Sequence, residues 1–206
     1  MKNEVEEKTV LEIIELSRLL GEFGQIKRVV KLPNGDHETD SHHSFSLALI
    51  AFELAAQFAP ELNKKKILLY SLVHDLPELI TGDVNTLKSS QEELQKKALQ
   101  DSKAFKEIKT TLAFAPNILD ALEGYENKVD DEALFVYWID KMITIPTHFF
   151  DKGANLKELG ISSQKDIQDW YQKTLNKLQV QRTPHVSAVK VLELAYRKMH
   201  DELIEA

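Results

Sequence analysis

The chain has 206 residues, no cysteine and a formal net charge of -7, and 43% of its residues are hydrophobic. This length and composition predict a single domain with one substantial core. The negative charge argues against a general nucleic-acid-binding protein, because such binding depends on clustered Lys and Arg. The lack of cysteine excludes disulfides and thiolate metal ligands, and fits a reducing compartment.

Neither the start of the chain nor its apolar runs resemble a membrane or secretory segment. Residues 1–8 are mostly charged and lack the apolar stretch of a signal peptide. No apolar run reaches the roughly 20 residues of a membrane-spanning helix. We therefore expect a soluble cytoplasmic protein that binds no membrane.

Apolar residues recur with helical spacing along most of the chain. The first helix is predicted over residues 5–20, and a turn signal at residues 33–36 predicts a loop or short irregular hairpin within residues 28–38. Asp40 or Ser41 is expected to cap the second helix. The remaining helices are predicted over residues 43–59, 65–76, 90–115, 117–125, 131–150, 163–179 and 184–204. Strand signals are almost absent, so the prediction is an all-α helical bundle.

A His-Asp doublet, His74-Asp75, ends an apolar run, and two further carboxylates, Glu78 and Asp83, follow it. Burying a charged carboxylate is unfavourable by several kcal/mol unless a partner compensates for the charge. A divalent metal ion is a partner that suits both imidazole nitrogen and carboxylate oxygen. The doublet therefore indicates a metal site.

Two further residues complete this candidate metal site. His43 lies at the start of the second predicted helix, and Asp140 lies in an apolar segment with Val136 and Ile143 at helical neighbour positions. Side chains from separate helices converge readily in the core of a bundle. Mixed nitrogen and oxygen ligation suits Mn²⁺, Co²⁺, Fe²⁺ or Zn²⁺. The candidate ligands of one divalent metal ion are His43, His74, Asp75 and Asp140.

The order H…HD…D resembles the signature of the HD-domain superfamily of metal-dependent phosphohydrolases. Residues 74–83 are similar to that family's HD-x-x-E-x-x-TGD string, residues 38–45 to its E-x-x-x-E-H-S segment, and residues 131–141 to its distal segment. Arg28 matches the arginine that the family places ahead of its first ligand, here His43. This is the pattern of the 5'-deoxynucleotidase branch, which removes phosphate from deoxyribonucleoside 5'-monophosphates.

The resemblance implies an HD-domain helical bundle over residues 1–206, with the helices after about residue 155 packing on it. It also implies a metal-binding role for the four candidate ligands. Glu78 and Asp83 would be the catalytic carboxylates: Glu78 would orient or deprotonate the attacking water, and Asp83 would contact the sugar or assist the leaving oxygen. Arg28 would hold the phosphate, because a guanidinium fork fits phosphate oxygens.

Two positions depart from the pattern of the family. His42 stands where the family often carries Glu directly before the first ligand, and Val29 stands where deoxyribose-selective members carry Trp. The expected partner is a small-molecule nucleotide, and the expected activity is hydrolysis of (deoxy)nucleoside 5'-monophosphates. The choice of base, the preference for deoxyribose and the identity of the metal stay open.

Three alternatives remain. An HD phosphohydrolase could act on a triphosphate, an alarmone or a cyclic dinucleotide, although such branches usually carry extra basic residues and few lie near the motif. A non-catalytic, metal-binding regulatory module is opposed by the presence of Glu78 and Asp83. A binding module that acts mainly as a dimer is the third. Dimerisation is compatible with an enzyme, and a homodimer is predicted through the apolar C-terminal helix, with Val186, Val189, Val191, Leu192, Leu194 and Leu203.

Overall fold

Helices dominate the computed structural model, which describes residues 2–84, 90–149, 152–179 and 186–203. The helices are α1 (Lys2–Phe23), α2 (Asp40–Phe58), α3 (Lys64–Val73), α4 (Glu78–Thr81), α5 (Gln91–Thr111), α6 (Pro116–Glu126), α7 (Asp131–Thr147), α8 (Ala154–Glu158), α9 (Gln164–Gln179) and α10 (Val186–Leu203). The strands are β1 (Lys27–Lys31) and β2 (His37–Thr39). The all-α prediction is confirmed. The short helices α4 and α8 were not predicted.

The predicted irregular hairpin is present between α1 and α2. Strands β1 and β2 are antiparallel, with Lys27 opposite Thr39, Lys31 opposite His37, and a register shift between these pairs. In the connecting turn Gly35 has a φ of 87°, a left-handed conformation that glycine adopts without steric penalty. Because β1 also contacts α7, the hairpin holds its side chains against the body of the bundle.

Helix α2 begins three residues earlier than predicted. Its N-cap is Thr39, whose hydroxyl oxygen accepts a hydrogen bond from the backbone N–H of His42 at 3.4 Å. The prediction that Asp40 or Ser41 caps this helix is therefore wrong, because the threonine hydroxyl already supplies the acceptor. Asp40 lies in the first turn of α2 instead, with its side chain completely buried.

Helix α3 ends at Val73, so the His74-Asp75 doublet lies in the turn that joins α3 to α4. The turn keeps its backbone hydrogen bonds, with the N–H of Leu76 donating to Val73 O at 3.0 Å and that of Glu78 to Asp75 O at 2.8 Å. The predicted helix through Leu76 was too long. This tight turn brings Glu78 close to Asp75.

Helix α3 lies at the centre of the bundle, in contact with α2, α6 and α7. Ala51 and Ala55 of α2 are fully buried, and their small side chains allow a close approach of neighbouring helices. Ile67 of α3 and Phe135 and Ile139 of α7 are almost completely buried. Burial of each such large apolar side chain stabilises the fold by about 1.5–3 kcal/mol. This shared core fixes the positions of α2, α3 and α7 relative to one another.

The helices after residue 155 also contribute to the core. Ile167 of α9 and Tyr196 of α10 belong to the same buried cluster, and α10 contacts α7 and α2. Leu194 of α10 is exposed. The single-domain division and the homodimer stay predictions, and the predicted helix ends at Phe150, Pro184 and Ile204 lie outside the described residues. None of the helices in the described ranges has the length and apolar character needed to cross a membrane.

Asp130 connects α3 to the start of α7. Its Oδ1 accepts a hydrogen bond from the backbone N–H of Ala133 at 2.9 Å. Its Oδ2 accepts bonds from Tyr70 Oη at 2.9 Å and Lys66 Nζ at 2.8 Å. We expect Asp130→Ala to lower the free energy of unfolding, measured in urea, by about 2 kcal/mol, because the cap and the tyrosine bond each contribute about 1 kcal/mol.

Asp130→Asn provides the control for this prediction. Asparagine keeps an acceptor oxygen at the cap, so the expected loss is about 1 kcal/mol or less. Equal losses in the alanine and asparagine variants would contradict a capping role for Asp130.

Candidate metal centre

The four predicted metal ligands meet in one buried cluster. His43, His74 and Asp75 each offer a ligand atom, and these three atoms lie within 4.8 Å of one another. Asp140 Oδ1 lies 2.9 Å from His43 Nε2 and 3.5 Å from His74 Nε2. His43 comes from the first turns of α2, the doublet from the turn after α3, and Asp140 from the middle of α7. The packing of α2, α3 and α7 therefore creates the cluster.

The imidazole of His74 is oriented by its own backbone. Nδ1 lies 2.9 Å from Ser71 O, to which it donates a hydrogen bond, so Nε2 is the nitrogen left for another partner. Nε2 lies 2.9 Å from Asp75 Oδ2 and 3.5 Å from Asp140 Oδ1. It is buried, and although these oxygens are close, among the described residues none is aligned for a hydrogen bond with it.

A nitrogen buried between two carboxylate oxygens requires a positive charge, which either a proton or a metal ion can supply. Burial lowers the pKa of His74, but Asp75 and Asp140 outweigh it and raise the pKa to about 10. Burial likewise raises the pKa of Asp140, yet Lys141, His43 and His74 hold it well below its usual range. An unpartnered imidazole nitrogen beside ionised carboxylates is a donor set that fits a divalent transition metal.

Glu38 is a residue of this centre whose role sequence reasoning missed. Its side chain is 4% exposed, and its Oε2 lies 3.7 Å from His43 Nδ1 and 3.5 Å from Arg28 Nε. At this separation Glu38 acts on the imidazole of His43 as a nearby negative charge and is not hydrogen-bonded to it. The sequence signal for Glu38 was its place at the start of residues 38–45, the segment that is similar to the family's E-x-x-x-E-H-S string.

Glu78 belongs to a second group of carboxylates beside the first. Asp40, Asp75 and Glu78 each offer an oxygen within 4.8 Å of the other two. Burial, together with the charges of Asp75 and Asp40, raises the pKa of Glu78 to about 10. Asp83, half-buried after Gly82, adds its negative charge to the same group. The structure thus brings Glu78 to the metal centre, along with Asp40, which had been considered only as a helix cap. Asp83 lies near enough for its charge to act on Glu78.

Arg28 lies inside this group of carboxylates. Its Nη1 is 3.2 Å from Asp40 Oδ1 and 3.1 Å from Asp75 Oδ2. The guanidinium therefore neutralises part of the acidic charge and orients Asp75. Its predicted role in holding phosphate stays a prediction, because a phosphate would have to share the guanidinium with these carboxylates.

The two departures from the family pattern lie at the edge of this centre. His42 is exposed and so points away from the ligand cluster. Val29 is half-buried, and its backbone oxygen accepts a hydrogen bond from Asn155 Nδ2 at 3.3 Å. That bond ties β1 to the short helix α8.

A cavity of about 300 Å³ opens beside His74 and Asp75. Glu78 lines it, and the other walls come from α5, α6, α7 and the turn between α6 and α7. The ring of Tyr125 packs edge-on against His74, with 5.6 Å between the centroids. Burial raises the pKa of Tyr125 well above its usual value, as do Asp140 and Asp75. The cavity volume suits a small phosphorylated molecule.

The chain is similar in sequence to the HD-domain family and to two proteins named as 5'-deoxynucleotidases. The family model described as HD domain matches residues 21–181. The 5'-deoxynucleotidase HDDC2 of Dictyostelium discoideum is 30% identical over 145 residues, which cover 62% of this chain and 71% of that protein. The protein of the same name from Mus musculus is 29% identical over 137 residues, which cover 61% of this chain and 64% of that protein.

Solved structures share the fold. The crystal structure of a protein described as a predicted metal-dependent phosphohydrolase, from Magnetospirillum magnetotacticum MS-1, matches with a TM-score of 0.71 at 19% identity over 96% of both chains. A conserved hypothetical protein from Pyrococcus furiosus matches with a TM-score of 0.51 at 21% identity, over 82% of this chain and 99% of its own. Since the matched family region contains the hairpin and all four clustered ligands, the chain belongs to the HD-domain family of metal-dependent phosphohydrolases.

Proposed function

We propose that this protein is a 5'-nucleotidase that removes phosphate from nucleoside 5'-monophosphates, deoxyribonucleotides among them. The observation that carries the proposal is the cluster of His43, His74, Asp75 and Asp140 beside a cavity. Two of its members, His74 and Asp75, line that cavity together with Glu78. The name 5'-deoxynucleotidase, carried by two relatives at about 30% identity, supports the choice of a monophosphate.

In this reaction the side chains of the centre would hold the metal ion, transfer protons and position the substrate. His43, His74, Asp75 and Asp140 would hold a divalent metal ion, which would supply a water molecule of lowered pKa and a positive charge for a phosphoryl oxygen. Glu78 would accept the proton of the attacking water as general base, from its position beside Asp75 on the cavity wall. The new bond joins the water oxygen to phosphorus, the bond from phosphorus to the ester oxygen breaks, and the leaving oxygen takes up a proton. Asp83 assists that oxygen or contacts the sugar, and Arg28 orients Asp75 and the phosphate.

A second candidate is a phosphohydrolase for nucleotides with more than one phosphate. The observation that favours it is that lysines from separate elements line the cavity: Lys97, Lys128 and Lys141. These residues lie far along the chain from the His-Asp doublet, so their positions around the cavity could not be predicted from the motif.

Phosphate release from a nucleotide panel tests the two candidates. The protein is stripped of metal with a chelator, reloaded with Mn²⁺, Co²⁺ or Zn²⁺, and assayed on ribo- and deoxyribonucleoside 5'-mono-, di- and triphosphates. We expect metal-dependent release of phosphate from the monophosphates alone. The ratio of the rates on deoxyribo- and ribonucleotides measures the selectivity for deoxyribose in a protein that has Val29 where selective members carry Trp. Release only from di- or triphosphates would favour the second candidate. If the metal-loaded protein released phosphate from none of these nucleotides, both candidate functions would be contradicted and a regulatory module would be favoured.

A further inference from the structure

Lys128 occupies an unusual backbone position at the rim of the cavity. It follows the C-terminus of α6 and has a φ of 49°, in the left-handed region that residues with a Cβ seldom adopt. Its N–H donates to Tyr125 O at 3.1 Å, and the N–H of Val129 donates to Gly124 O at 3.2 Å, a turn that ends a helix. Glycine is the usual residue in such a turn. Lys128 therefore carries a long side chain at a position where the left-handed backbone favours glycine.

The ammonium group of Lys128 lies over two aromatic rings. Nζ is 4.7 Å from the centroid of the Tyr137 ring and 5.3 Å from that of Tyr125. Its hydrogen bond is to a neutral acceptor, Glu126 O, at 3.2 Å. Within the described residues no carboxylate oxygen lies within 4.0 Å of Nζ, so no acidic side chain neutralises this charge directly.

The other cations around the cavity have carboxylate partners. Lys141 Nζ lies 2.6 Å from Asp140 Oδ2, and Lys97 Nζ lies 2.8 Å from Asp101 Oδ2. Arg28, behind the metal centre, contacts three carboxylates. Among the described residues that line the cavity, Lys128 is thus the cation left for an anionic ligand. Burial also lowers the pKa of Lys128, which is the signature of an ammonium group removed from water.

The ring of Tyr125 connects this lysine to the metal centre. It contacts the imidazole of His74 at 5.6 Å between centroids and lies under Lys128 Nζ. A tetrahedral anion in the cavity would therefore have the metal ligands on one side and the ammonium group on another. A positive centre of this kind strengthens hydrogen bonds to a phosphate oxygen.

We propose that Lys128 binds the phosphate group of the substrate in this cavity. This inference rests on the proposed phosphohydrolase function and deepens it, because it names a phosphate-binding residue that the motif does not contain. Arg28 then acts mainly on Asp75, and the monoester is held between the metal centre and Lys128. The rings of Tyr125 and Tyr137 hold the ammonium group in place.

Binding of inorganic phosphate to the metal-loaded protein tests this inference without requiring turnover. In isothermal titration calorimetry, Lys128→Met is expected to weaken phosphate binding about tenfold or more, since a hydrogen bond to a charged group contributes that much. Lys128→Arg, which keeps the charge, is expected to restore most of the affinity. Lys103→Met on the exposed face of α5 removes the same charge elsewhere and is expected to leave binding unchanged.

Metal content and circular dichroism are measured on each variant, and Lys128→Gln replaces the methionine variant if that one does not fold. The inference would be overturned if Lys128→Met, or Lys128→Gln in its place, bound phosphate as tightly as Lys103→Met does. Loss of phosphate affinity in a protein that hydrolyses no nucleotide would support the subsite and contradict the proposed function. Turnover of monophosphates with phosphate affinity and KM unaffected by Lys128→Met would support the function and overturn the subsite.

Discussion

Asp75→Asn is expected to lower kcat/KM for the preferred nucleotide by about a thousandfold or more and to abolish stoichiometric metal binding. Asp75 belongs to both carboxylate-containing groups of the centre, and its Oδ2 lies 2.9 Å from His74 Nε2 and 3.1 Å from Arg28 Nη1. The amide keeps the shape of the side chain and removes its charge, so the variant loses the ionic component of metal binding. A metal acting on a phosphoryl group supplies several kcal/mol of transition-state stabilisation, and each 1.4 kcal/mol is about a factor of ten.

Metal content by atomic emission and steady-state kinetics on the same preparation measure both parts of this prediction. Asp120→Asn on the exposed face of α6 makes the same chemical change away from the site, and this variant should keep full metal content and full activity. An Asp75→Asn protein that binds one metal ion per chain and turns over normally would contradict the assignment of Asp75 as a ligand.

Glu78→Gln is expected to reduce kcat by about 10²–10⁴-fold while metal content stays unchanged. General base catalysis by a positioned carboxylate contributes a factor of this size. Glutamine occupies the same volume beside Asp75 but takes no proton from water. The substitution also removes one of three crowded acidic groups, Asp40, Asp75 and Glu78, so the folded protein should not lose stability.

The informative measurements for Glu78→Gln are kcat and metal content together. Glu107→Gln, exposed on α5, serves as the matched control. A large drop in kcat with metal retained supports the base, and loss of the metal would instead identify Glu78 as a ligand. A kcat within a few-fold of the unaltered protein would show that another group takes the proton.

Local spacing explains why the chemistry of this site could be predicted from the sequence. His74, Asp75 and Glu78 lie within one tight turn, so their proximity follows from the backbone alone. Asp140 was assigned because a charged residue among buried apolar neighbours on one helix face requires a partner. Its convergence with His43 was predicted because side chains from separate helices meet readily in the core of a bundle, and the packing of α2 against α7 produces it in the structure.

The residues that sequence reasoning missed are those brought in by register and tertiary packing. Glu38 and Asp40 reach Arg28 through a hairpin whose register is irregular, and no local pattern fixes that register. Lys128 reaches the cavity through a left-handed turn after α6. Such a turn usually contains glycine, so a lysine at this position did not indicate the turn. The end of α3 was misplaced by three residues, because the turn at 74–77 continues the helical hydrogen-bond pattern only in part.

The four candidate ligands come from three separate parts of the chain, which has a consequence for the stability of the protein. His43, His74 and Asp140 are far apart along the chain, so an ion bound by all three would join α2, α7 and the turn after α3 as a reversible cross-link. Binding that is confined to the folded state adds about 2.7 kcal/mol to the free energy of unfolding when the free ion is present at a hundred times its dissociation constant. The fraction of the chain that is folded would then depend on the concentration of free metal ion.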